Sequence, residues 1–114
     1  MSPSSERDWR LYADDIVEAC GKIRRFIAGM DYDGFVADER TRDAVIRNIE
    51  IIGEAAKHLP DEVTGKAPQI PWRLICGMRD VLAHGYFGLS PKVVWDTAKT
   101  QIDQLEAAVR VLAE

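Results

Sequence analysis

Four times along this chain, apolar residues recur at steps of three and four, and nowhere do they alternate. Trp9, Tyr12, Ile16, Cys20, Ile23, Ile27 and Met30 make the first series, and Val45, Ile49, Ile52, Ala56 and Leu59 the second. Leu74, Ile75, Met78, Val81 and Leu82 make the third, and Val94, Ala98, Ile102, Leu105, Val109 and Leu112 the fourth. Such steps keep side chains on one face of a helix, whereas a half-buried strand needs alternation. A helix striped on one side must bury that stripe against other helices. The pattern therefore predicts an all-α protein, an antiparallel four-helix bundle. A chain of 114 residues has the size of one compact domain, so residues 1–114 are expected to form a single unit.

Punctuation residues set the expected boundaries. Helix one should run from Trp9 to Met30 and break at "GMDYDG", where Phe35 and Val36 suggest a short extra turn of helix before helix two. Helix two should span Asp38 to Leu59. The proline-rich "PDEVTGKAPQIP" then reads as a connecting loop. Pro71 suits the first turn of helix three, whose missing N–H costs nothing there, and Gly85 is placed to end that helix in a left-handed conformation. Ser90 and Pro91 form an N-cap and first-turn pair for helix four.

The chain carries 15 basic and 19 acidic residues, a net charge of −4, which is the wrong sign for coating nucleic acid by counterion release. Any contact with nucleic acid should be local. No apolar run is long enough to span a bilayer, and "MSPSSERDW" lacks both a basic leader and an apolar core, so a cytoplasmic protein with no membrane contact is expected. Cys20 and Cys76 lie far apart among apolar neighbours and read as reduced core thiols. His58, just before Pro60, reads as a helix-terminal histidine facing a favourable dipole.

"RDVLAHGYF", residues 79 to 87, holds the unusual chemistry. His84 has the side chain that both accepts and donates protons near neutral pH, and Arg79 offers a permanently charged planar fork matched to phosphate oxygens. Five residues apart on an unbroken helix, the two would sit about 140° and about 7.5 Å from each other. A helix ending at Gly85 would let His84 swing toward a groove lined by Arg79, with Tyr86 freed beside it. On spacing alone an ordinary explanation serves as well: Arg79 pairs with a carboxylate and His84 caps the last carbonyls. Asp80 either orients one of these groups or faces water. Glu54 either holds Arg79 in place or is a plain surface carboxylate. The chain shows no glycine-rich phosphate loop, no HExxH and no nucleophile elbow, so no other constellation competes with this stretch. Asp14 with Asp15, and Asp38 with Glu39, read as solvated carboxylate pairs.

The same residues carry a family resemblance. "RDVLAHGYF" matches the RX4HXY motif of HEPN-type ribonucleases, with Arg79, His84 and Tyr86 in its three defined positions. "DERTRDAVIRNIEIIGEAAKHLP" and "PQIPWRLICGMRDVLAHGYFGLSPKVVW" resemble the HepT-like family, formerly DUF86, and the likeness runs from "YADDIVEACGKIRRFI" into helix four. The resemblance implies a HEPN-like helical bundle that works as a homodimer and cuts RNA with neither a metal nor a cofactor of its own. It also implies a toxin paired with a minimal nucleotidyltransferase antitoxin, which uses ATP to AMPylate the motif tyrosine, here Tyr86, and so silences the enzyme. Arg79 and His84 would be catalytic, with Asp80 and Glu54 supporting them. The alternative is a non-catalytic helical adaptor that binds and positions a nucleotidyltransferase.

Overall fold

The computed structural model describes residues 8–77 and 90–114, and every regular element among them is helical. Helix α1 spans Trp9–Phe26. The Asp8 carboxylate caps it by accepting the Arg10 N–H at 2.9 Å, which satisfies one of the donors a helix start leaves without a partner. The helix stops earlier than its apolar stripe. Gly29 turns the chain at φ 76°, a conformation open to glycine, and Ile27 and Met30 follow the core from outside the helix.

The short element between the first two long helices is present as α2, Tyr32–Ala37, with Asp31 accepting the Gly34 N–H at 2.8 Å. Its buried residue is Phe35, which is fully enclosed, its ring 5.2 Å from that of Trp95. Helix α3 spans Glu39–Ala56. Asp38 starts it with two bonds, accepting the Thr41 N–H at 3.0 Å and the Thr41 hydroxyl at 2.9 Å, and these bonds hold its carboxyl below the ordinary range. Within α3 the buried Asn48 donates to the Ala44 carbonyl at 2.9 Å, so its burial leaves the amide satisfied.

The proline-rich connection is more ordered than its composition suggests. Pro60 opens a short helix, α4, Asp61–Thr64, which has two acidic residues in its first turn and tucks Val63 inside. The prediction of a plain loop is corrected here: α3 ends at Ala56, short of the expected Leu59, and Pro60 begins another helix. Residues 72–77 form helix α5, with the Ile75 N–H bonded to the Pro71 carbonyl at 3.0 Å, so Pro71 stands just before the helix rather than within it. Leu74, expected on the buried side, is 58% exposed, whereas Ile75 packs against the core. Met78, Val81, Leu82 and the expected helix stop at Gly85 lie outside the described residues.

The fourth stripe forms a rod that is not uniform. Helix α6 is Pro91–Asp96, capped as expected by the Ser90 hydroxyl accepting the Lys92 N–H at 3.1 Å. A π-helical turn, Thr97–Gln101, follows, in which the Ile102 N–H reaches back five residues to the Thr97 carbonyl. Helix α7, Ile102–Leu112, completes the rod. Two threonine hydroxyls serve this turn: Thr97 donates to the Val93 carbonyl at 2.9 Å and Thr100 to the Asp96 carbonyl at 2.7 Å. Hydroxyl bonds of this kind loosen and bend the regular ladder.

Helix α1 lies along α3 on one side and α7 on the other, and the three stripes meet in one core. Ile16, Cys20 and Ile23 of α1 are sealed completely, as is Val45 of α3, and Val109 of α7 nearly so. Each such aliphatic side chain contributes about 1.5–3 kcal/mol by leaving water. The result is an all-α helical bundle. At the rim, Arg24 of α1 clamps α7, its Nη2 lying 2.9 Å from Asp103 and 2.5 Å from Glu106, while Arg110 holds the other oxygen of Glu106 at 2.9 Å. Burial by itself raises the Glu106 carboxyl, but hydrogen bonds from the two arginines outweigh it and hold the group below its ordinary value. No helix among the described residues is long and apolar enough to cross a membrane.

Candidate functional site

Of the five residues singled out from the sequence, the described residues place one, Glu54. Arg79, Asp80, His84 and Tyr86 lie outside them. Glu54 sits two residues before the end of α3, on the outer side of the helix, with its side chain 53% exposed. Its neighbours explain its setting. Glu54 Oε1 is 3.7 Å from His58 Nε2, one turn further on, and the His58 ring lies flat on Tyr12 of α1, with centroids 4.3 Å apart and planes 11° from parallel.

His58 therefore does more than end a helix. Its backbone N–H bonds the Ala55 carbonyl at 3.0 Å, as a residue just past the last turn does. The imidazole joins the start of α1 to the end of α3 through the stacked ring.

Tyr12 and Glu54 also line a groove between α1 and α3, of about 300 Å³, together with Asp15, Arg47, Glu50, Ile51 and Ala55. Its floor is aliphatic and its rim is charged. Asp15, Glu50 and Glu54 bring three carboxylates against one guanidinium, Arg47, whose Nη1 stands 4.0 Å from Glu50. By simple electrostatics the groove disfavours a phosphate and favours donors. Sequence reading missed it because its charges come from two helices far apart in the chain, and no spacing rule joins Asp15 to Glu54.

A second, smaller hollow lies where α5 meets the rod. About 30 Å³ in volume, it is walled by Ile49 and Ile52 of α3, Leu74 and Ile75 of α5, and Thr97, Gln101, Ile102 and Leu105. Helix α5 leads directly toward Arg79 in the sequence.

The two cysteines differ. Cys20 is fully buried, and burial, aided by the nearby Glu106 charge, pushes its thiol up to about 12. At neutral pH it is neutral and inert. Cys76, on α5, is half-buried, and neither forms a disulfide. Cys20 matches the expected reduced core thiol in full, and Cys76 stands at the core's edge.

Comparison with known proteins reaches the whole bundle. Residues 16–112 match the family model described as "Ribonuclease HepT-like". The chain is 42% identical over 101 residues to "Probable ribonuclease HepT" of Thermococcus cleftensis, covering 89% of this chain and 92% of that one. It is 42% identical over 91 residues to a "Putative RNase" of Methanocaldococcus jannaschii, covering 80% and 75% of the two chains. A "Putative RNase" of Caldanaerobacter subterraneus is 37% identical over 105 residues, covering 92% and 94%. No solved structure gave a match.

Proposed function

Because the chain belongs to the HepT-like ribonuclease family, we propose that it is a metal-independent endoribonuclease in which Arg79 and His84 break the RNA strand. The observation that carries this reading is the family match across residues 16–112, which spans the RX4HXY stretch from Arg79 to Tyr86. His84 takes the proton from a ribose 2′-OH or gives one to the departing 5′ oxygen. Arg79 stabilises the negative charge gathered on the phosphorane between them. The cleaved strand then ends in a 2′,3′-cyclic phosphate on one side and a 5′-OH on the other.

One histidine serves one proton transfer at a time. A homodimer with two copies of Arg79 and His84 facing a shared cleft supplies both base and acid. Glu54 and Asp80 support the pair, Glu54 from the rim of the α1–α3 groove. In this reading the protein is a cytoplasmic toxin whose antitoxin, a minimal nucleotidyltransferase, uses ATP to attach AMP to Tyr86. The added bulk and negative charge close the cleft to RNA.

The deciding experiment compares wild type with Arg79→Ala and His84→Ala on a labelled RNA in the presence of EDTA. Cleavage by wild type alone, leaving cyclic phosphate termini, is the expected result. Equal cleavage by wild type and His84→Ala points to a contaminant and favours the adaptor alternative. Tyr86→Phe incubated with the nucleotidyltransferase and ATP should gain no AMP, and a gain would place the modification elsewhere.

A further inference from the structure

A π turn is an uncommon way to continue a helix. One extra residue enters the turn, the ladder shifts from four to five residues, and the backbone widens. Side-chain bonds accompany the shift, since the hydroxyls of Thr97 and Thr100 each donate to a carbonyl four residues back. The widened turn is also the surface that α5 meets. Thr97 and Gln101 face Leu74 and Ile75 across the 30 Å³ hollow, so the widened turn forms part of the wall against which α5 sits, beside the core packing of Trp72, Ile75 and Cys76.

We propose that the π turn is a positioning element: it shapes the seat of α5 and thereby sets where the chain that follows residue 77 presents its reactive groups. The consequence for catalysis rests on the reading of Arg79 and His84 given above. Thr97 and Gln101 act as positioning residues, reaching the reaction through α5. A small displacement of a reacting group is enough to matter, since a misplacement of about 1 Å costs roughly a hundredfold in rate.

Deletion of Thr100, which is exposed, tests this. Removing one residue from the π turn returns it to an ordinary helical turn, so α6 and α7 keep the faces they now bury. The full-length variant should retain wild-type helicity and cooperative unfolding. Amide exchange in residues 72–89 should change by about tenfold or more while α1 and α3 stay unaltered, and kcat for RNA cleavage should fall by about tenfold or more with KM little changed. Ile75→Ala, which loosens the same seat from the α5 side, should reproduce both effects in milder form, with Ile75→Val restoring them. This pair decides the matter if the deletion does not fold. Exchange and kcat both at wild-type levels would overturn the proposal, as would altered exchange with unchanged kcat in a protein whose cleavage depends on His84. Altered exchange in a protein whose wild type cleaves no better than His84→Ala would overturn the nuclease reading and leave the seat standing.

Discussion

The rod of the fourth stripe meets its neighbours in two ways. At its α6 end, Trp95 packs against the enclosed Phe35 ring, whereas at the π turn a small hollow lies between the rod and α5, where Leu74 is more than half in water. The first contact encloses a whole aromatic ring, and the second leaves a leucine largely in water. Under the function proposed above the difference bears on catalysis, because α5 leads in the sequence toward Arg79 and His84.

The sharpest break in that contrast comes from the sealed side. Phe35→Ala should cost about 3–5 kcal/mol, enough to lower Tm by many degrees in thermal unfolding, because the ring leaves a void its rigid neighbours cannot fill. Next is the rim clamp. Glu106 is held below its ordinary value of 4.5, so its contribution is present above that pH and is lost as pH falls through the depressed folded value. Wild type should therefore lose stability on acidification more steeply than Glu106→Gln, measured as denaturant midpoint against pH. Parallel curves would mean the clamp is electrostatically idle.

Ser90→Ala removes the cap of α6 and should cost about 1 kcal/mol in chemical denaturation. The smallest stability effect belongs to the open side. Leu74→Ala should stay within about 0.5 kcal/mol of wild type, since more than half of Leu74 is already in water. A loss as large as that at Phe35 would show that the seat of α5 is as tightly packed as the α2 contact.

The helices were legible because burial imposes its period on sequence. Val45, Ile49 and Ile52, and Val94, Ala98, Ile102 and Leu105, announce their buried faces by spacing alone, and all are buried. Ser90–Pro91 likewise reads as a helix start because capping chemistry is local. The π turn was not legible, because the steps from Val94 to Val109 suit a regular helix just as well, and the threonines that accompany it are ordinary helix residues. Pro60 misled because proline excludes a helix behind it and favours one ahead of it, and composition does not say which dominates. For the site, the motif at Arg79, His84 and Tyr86 could be named from a short local pattern, while the groove joining Asp15 to Glu54 needed the fold.

The unequal burial of the two cysteines has a practical consequence. With Cys20 sealed in the core and its thiol pushed up to about 12, a maleimide dye added at neutral pH should leave that residue untouched as long as the bundle stays closed. The wild-type chain therefore carries a natural reporter of core opening, because dye reaching Cys20 marks the moments when α1 and α7 part, without altering one residue.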